Sequence, residues 1–252
     1  MSLPSALAGV LKYNGIAVTV NQVVAVASIG LLTFDPEANY FGSPTFTYQA
    51  RDAALFSATS TVTINIGATN DAPTVSDSTE TTNEDTTYTY ILADFTSVFS
   101  DGDGDSLNKI KIVTLANASH GVLKLSGVNI TAGQEVTAAQ ITSMSFVPGA
   151  NWNGSTTFTR QGHDGTVLSS NTATMTMSVT AVNDTPTVSN FSKSVDEDVL
   201  LTFAGIDFTT NFSDIDGDSL TQIKITGLPS HGTLKNGATT LAVNDTVPVA
   251  QL

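Results

Sequence analysis

Apolar and polar residues alternate in short runs along most of the chain. "TATMTMSV" sets Ala173, Met175, Met177 and Val179 on one face and Thr174, Thr176 and Ser178 on the other. "TVTINI" does the same with Val62, Ile64 and Ile66, and "KIKI" at 109–112 and "QIKI" at 222–225 follow suit. A period of two with β-branched residues marks strands buried on one face. Gly, Asn and Asp punctuate the runs. "YNGI" at 13 and "KNGA" at 235 carry the Asn-Gly signal of a two-residue hairpin turn. No long amphipathic helical stretch interrupts the pattern. Some seven short strands in roughly a hundred residues predict a two-sheet sandwich, an all-β fold of immunoglobulin-like, Greek-key type.

The pattern is periodic on a longer scale. "NDAPTV" at 70–75 returns as "NDTPTV" 113 residues later, and "NEDTTYTY" at 83 returns as "DEDVLLTF" at 196. "HGVLK" at 120 matches "HGTLK" at 231 and "AGVLK" at 8, and "FVPGANWNG" at 146 matches "FDPEANYFG" at 34. The step divides the chain into the later part of one repeat (1–73), a complete repeat (74–186) and the early part of a third (187–252). The start, "MSLPSALAGVL", lacks the basic opening of a secretion signal and reads as an excised fragment with a short expression leader.

Composition narrows the function. The 252 residues carry a net charge of −14, with nine basic residues against 23 acidic ones. Phosphate binding needs a basic face, so nucleic acid is excluded as a partner. No apolar run approaches the ~20 residues that span a bilayer, which argues against membrane insertion. With 40% hydrophobic residues and only 13% charged, the chain has enough apolar material to fold. It has no cysteine, so a secreted version needs a staple other than disulfides, and bound metal is the natural substitute.

The acids are not spread for solubility. Thirteen of the 23 lie in the repeated motifs: Asp71, Glu84, Asp85, Asp101, Asp103, Asp105, Asp164, Asp184, Glu197, Asp198, Asp214, Asp216 and Asp218. "SDGDGDSL" at 100–107 and "SDIDGDSL" at 213–220 pack three carboxylates into five positions, again 113 apart. Oxygen ligands in such number point to calcium, which takes 6–8 of them. An EF-hand does not fit. Its sixth position is Ser106 rather than Gly, its twelfth is Ile112 or Ile225 rather than an acid, and strands precede the motif. Strand order supplies a better geometry. If the linker Asn70–Asp71 enters one end of the complete repeat, the loop with Asp101, Asp103 and Asp105 lies beside it. Asp164, closing the sixth strand, ends there too. Glu84 and Asp85, at the first turn, fall at the opposite end. They face the next linker, Asn183 and Asp184, and the following loop with Asp214, Asp216 and Asp218.

In kind and order these motifs resemble the cadherin-like family. Such domains place a glutamate near the first strand, an aspartate-rich loop after the second, a D-x-N-D linker and an aspartate after the sixth strand. "NED" with Glu84, "DGDGD" at 101, Asp164 and "AVNDTP" at 181 match them. The spacing and the "G-x-L-K…F-x-P…N-x-x-G…D-G" framework look like the tandem repeats of large calcium-dependent, RTX-type bacterial surface adhesins. The D-R-E signature of animal cadherins is absent, and its place holds "GANWNG". The resemblance implies Ca2+ at the junctions between repeats, neighbouring repeats as partners and an extracellular, cell-surface location.

Other chemistry is thin. There is no cysteine nucleophile, no Gly-x-Ser-x-Gly elbow and no phosphate loop, so the chain reads as non-catalytic. His120 and His231 precede glycine as turn residues, and Trp152 and Tyr40 share one repeat position suited to closing the sandwich. "NAS", "NIT" and "NGS" arise by chance in a chain this rich in Asn, Ser and Thr. A stalk segment stiffened by calcium is the leading reading; the alternative is a glycan- or protein-binding module using an exposed sandwich face or the Trp152 loop. The partial repeats lack complementary strands, so a homo-oligomer in which 187–252 completes 3–73 is also expected.

Overall fold

The computed structural model describes residues 2–252. The alternation seen in the sequence becomes two sheets packed face to face between residues 78 and 180. One sheet has the strand order Glu135–Thr137, Lys109–Thr114, Gly154–His163, Ala173–Thr180, Ser78–Asn83. The other runs Val128–Asn129, Gly121–Leu125, Met144–Pro148, Tyr88–Thr89. Neighbours are antiparallel except Ser78–Asn83, which joins Ala173–Thr180 in parallel. The fold is an all-β sandwich.

The inward faces are those the alternation assigns. Ile110, Ile112, Phe158, Met175 and Met177 from one sheet meet Leu123, Met144 and Phe146 from the other, and all are buried. Each such side chain contributes roughly 1.5–3 kcal/mol through burial. Tyr90 and Phe95 fill the space between the sheets. The Tyr90 ring lies 5.5 Å from Phe95 and 6.2 Å, edge-on, from Phe158. Phe95 gets there on a helical turn, Ala93–Thr96, that is too short for any periodic signal. Two polar residues, Thr156 and Arg160, lie buried on the inward face of Gly154–His163. Arg160 donates to the Ser76 carbonyl and Ser78 Oγ and lies 5.2 Å over the Phe95 ring. Burial, only partly countered by Asp77, pulls its pKa down, and its Nε has no partner.

The flanking segments copy parts of this sandwich. Gly9–Tyr13 pairs with Leu32–Pro36 in the register of Gly121–Leu125 with Met144–Pro148. Thr45–Tyr48 pairs with Ser60–Thr63, and Leu11, Val18 and Phe46 form a small core. At the other end, Gln222–Lys224 pairs with Thr246–Pro248 as Lys109–Lys111 pairs with Glu135–Thr137.

The two Asn-Gly turns differ. Tyr13 pairs with Ile16 across Asn14 and Gly15, both at positive φ, as expected. In the other hairpin Asn236 pairs with Thr239, so the loop is Gly237–Ala238, one residue later than the sequence signal places it. Register wins there: Lys235 opposite Thr240 repeats Lys124 opposite Asn129, and Gly237 supplies the positive φ of 58°. Among the described residues, no helix is long and apolar enough to cross a membrane.

Candidate metal centres

A two-residue ladder brings each acidic loop to its linker. Thr74–Val75 pairs with Phe99–Ser100, so the chain leaves the ladder with Asp101 next to Asp71. Asp101 Oδ1 accepts the backbone N–H groups of Asp103 and Asp105 at 2.9 and 3.0 Å. Gly104, at φ +83°, makes the tight return. Asp103 Oδ2 accepts the N–H of Asp71 at 2.7 Å. Asn70 Nδ2 donates to Asp164 Oδ2 at 2.9 Å. Burial of the Asp164 side chain pushes its pKa up, but hydrogen bonds from Asn70, Val167 and Thr166 overcome this and hold it below the usual range. Asn70, Asp71, Asp101, Asp103 and Asp164 therefore converge. Asp105 lies in the same loop, exposed, and joins it through its N–H.

The second junction repeats these bonds. Thr187–Val188 pairs with Phe212–Ser213. Asp214 Oδ1 accepts from the N–H groups of Asp216 and Asp218 at 2.9 and 3.3 Å, and Asp216 Oδ2 accepts the Asp184 N–H at 2.6 Å. Asn183, like Asn70, donates to the carbonyl of the following aspartate. Here the other half of the junction is also present. Glu84 is buried and its Oε1 accepts the Val182 N–H at 2.5 Å. Asp85, at φ 55°, accepts the Asn151 N–H at 3.0 Å. The Asp184 pKa is raised, by desolvation first and then by Asp216, Asp85, Glu84 and Asp214. That mutual repulsion places these five carboxylates in one electrostatic cluster. Asp218 sits at its exposed rim.

Two asparagines escaped the sequence reading. The Asn151 amide lies 2.9 Å from both Asp85 Oδ2 and Asp184 Oδ2; with its nitrogen turned toward them it bridges the two carboxylates. Turned the other way, it would set a third oxygen facing theirs with no proton between them, an arrangement that a cation would relieve. Asn39 is its counterpart at the first junction. It packs so closely on Gly102 that a Cβ there would lie 2.8 Å from its Nδ2. Both asparagines have positive φ and stand at the end of "F-x-P-x-A-N". That repeated motif was the available signal, hidden because the expected ligand there was an acid.

The donor set suits a hard cation. The acids and asparagines at both junctions offer oxygen, and the one imidazole nearby, His163, lies 3.8 Å from Asp164 with its Nδ1 already accepting the Gly165 N–H; an oxygen-rich set of this kind favours calcium over zinc or copper. Two carboxylate oxygens, Asp101 Oδ2 at one junction and Glu84 Oε2 at the other, are buried with no hydrogen-bond partner. Burying such an atom unpaired costs about 1–3 kcal/mol or more, and a cation would satisfy it. The carboxylates otherwise turn to backbone N–H groups and to the amide nitrogens of Asn70 and Asn151. Among the described residues, no three acidic or histidine side chains close into a ready-made metal-holding group.

The remaining sequence candidates have structural roles. Trp152 packs against the core and stacks on His120, centroids 4.3 Å apart and planes within 9°. Asp52 caps its own turn through the N–H groups of Ala54 and Leu55, as Asp164 does with Thr166 and Val167.

Residues 69–180 match the family model of a cadherin-like domain, and residues 6–65 match that of a bacterial Ig domain. Both matches support cadherin-like repeats, and such domains are typically non-catalytic. No curated protein sequence matches the chain. Among solved structures, an endo-fucoidan hydrolase of glycoside hydrolase family 107 is similar at 22% identity over 60% of this chain, with a TM-score of 0.29. The chain spans 20% of that structure's length, and a likeness of this level carries no argument.

Proposed function

We propose that the chain is a non-catalytic segment of an extracellular, cell-surface stalk of an RTX-type bacterial adhesin, stiffened by Ca2+ at its junctions between repeats. The observation that carries this reading is the pair of orphaned carboxylate oxygens, one at each junction. Each sits among further acids that repel one another. Asp71, Asp101, Asp103 and Asp164, with Asn39, Asn70 and Asp105, would hold calcium at the first junction. Glu84, Asp85, Asp184, Asp214 and Asp216, with Asn151, Asn183 and Asp218, would hold it at the second.

When bound, the cation supplies the positive charge that converging carboxylates lack. The chain does the rest. Each set draws on a linker, on loops of the sandwich to one side and on the acidic loop beyond, so holding the set together fixes the linker between two bodies. The ladders that begin each loop set its distance from the linker before any ion arrives. Binding confined to the folded state adds about 2.7 kcal/mol at a hundredfold excess over Kd. The glycan-binding alternative is less well supported, because Trp152 is committed to His120 and the core.

Small-angle X-ray scattering with calcium and with EDTA tests the stalk role. The reading expects an extended, narrow distance distribution in calcium and a broader, more compact one after chelation. Identical profiles would overturn it.

A further inference from the structure

The chain's single tryptophan stands beside one of the candidate ligands at the second junction. Trp152 follows Asn151, whose N–H reaches Asp85 Oδ1 at 3.0 Å and whose amide lies 2.9 Å from carboxylate oxygens of both Asp85 and Asp184. Asn151 holds φ at 51°, a left-handed value that asparagine tolerates better than most residues but that still costs energy outside glycine. The groups it touches are carboxylates that repel one another, so the restraint on its loop comes from the other side.

That side is built around His120. The Trp152 N–H donates to the Gly149 carbonyl at 3.1 Å, and the Gly149 N–H donates to the His120 carbonyl at 3.0 Å. His120 is itself fixed in a turn, since its N–H and that of Gly121 both donate to the Asn117 carbonyl. The two backbones run so close that a Cβ at Gly149 would lie 2.6 Å from the Ser119 carbonyl. The side chains then lock the loop. The imidazole of His120 stacks on the indole with planes within 9°. A Cβ at Gly154 would lie 3.3 Å from the indole Cζ2, and the indole also packs on the core. Held by an imidazole, a bare glycine backbone and the core, the ring has little room to turn, and Asn151 is the residue next to it.

The first junction has the same loop without the stack. The Tyr40 N–H donates to the Glu37 carbonyl and the Glu37 N–H to the Ala8 carbonyl, both at 3.2 Å, and Asn39 takes a φ of 59°. Ala8 stands where His120 does, in "AGVLK" against "HGVLK", and brings no ring to Tyr40. The Tyr40 hydroxyl lies over Gly42 instead, 3.1 Å from where a Cβ would stand. The hydrogen-bonded frame is common to both loops, and the stack belongs to the second. We propose that His120 and Trp152 are positioning residues for the second junction, holding Asn151 between Asp85 and Asp184 before any ion arrives. The effect on ion affinity rests on the calcium reading; the ordering of the loop does not. Without the stack the loop is in place only part of the time, and apparent affinity falls by that fraction. An aromatic pair of this kind is worth about twofold to tenfold in affinity.

His120→Ala gives the second junction the residue that the first already has. In EDTA, amide hydrogen exchange of residues 149–153 should quicken in this variant, while that of residues 37–41 stays native. Terbium, which takes the same oxygen ligands as calcium, supplies the binding readout, because light that only the indole absorbs sensitises an ion held beside Trp152. The sensitised emission should saturate at higher terbium in His120→Ala by the factor given above, and calorimetric titration with calcium should leave the other class of site unchanged. His120→Phe keeps a flat ring and should restore both native exchange and native affinity, which a general loss of stability would not allow. Native exchange in His120→Ala, a loss spread equally over both classes of site, or failure of His120→Phe to restore them overturns the proposal. Quickened exchange in His120→Ala, with neither calcium nor terbium bound by the native protein, overturns the calcium reading and leaves the positioning of the loop standing.

Discussion

Replacing Glu84 with glutamine changes one charge and almost no volume at the most enclosed acid of the second junction. The side chain is 3% exposed. Its Oε1 accepts the Val182 N–H, and its Oε2 has no partner. Without calcium, the variant exchanges an unpaired anionic oxygen for an amide that still accepts from Val182 and donates toward neighbouring carboxylates. Relief of an unpaired buried group is worth about 1–2 kcal/mol. At about 4–8 °C per kcal/mol for a domain near a hundred residues, melting in EDTA should rise by about 4–16 °C. With saturating calcium the sign reverses, because a charged ligand is gone. A tenfold to hundredfold weaker site corresponds to about 1.4–2.8 kcal/mol, and that much of the calcium-dependent stabilisation should vanish. Scanning calorimetry of native and Glu84→Gln proteins in both buffers reads the four melting points. Equal destabilisation in the two buffers would refute the reasoning, since Glu84 would then be an ordinary structural hydrogen-bond acceptor.

The two junctions should respond separately. Asp103→Asn with Asp105→Asn should weaken one class of calcium site, and Asp216→Asn with Asp218→Asn the other, as resolved by calorimetric titration; loss of both classes from either pair would contradict this. Arg160→Met should leave stability within about 1 kcal/mol of native by denaturant melting, because it removes a buried charge whose Nε has no partner while keeping volume; a loss of several kcal/mol would mean that the bonds to Ser76 and Ser78 dominate. Asp207 is held below its ordinary pKa of 3.8 by Lys193 first and the Ala204 N–H second. Its contribution is then complete above pH 3.8 and is lost as pH falls through the lower folded value. Asp207→Asn should destabilise at pH 7 and become neutral in strong acid, as followed by circular dichroism.

Alternation and repeat spacing made the sheets legible, because a half-buried strand writes its inward face into every second residue. "TATMTMSV" shows this plainly: Ala173, Met175, Met177 and Val179 are the buried positions. The helical turn carrying Phe95 was not legible, since four residues hold no period. Nor was Arg160, which takes a core position that "TFTYQ" gives to Tyr48 in the first repeat. The neighbourhood of the acids followed from strand direction alone. Asn39 and Asn151 did not, because an asparagine in an Asn-rich chain carries little signal until its amide is seen between carboxylates.

Calcium at the junctions is the central claim, and isothermal titration of the chelated protein with calcium tests it directly. The account predicts saturable heat that Asp101→Ala and Glu84→Ala each reduce, with an upward shift in melting temperature of the calcium-loaded protein. Absence of binding heat at millimolar calcium, with the same melting temperature in calcium and in EDTA, would contradict it.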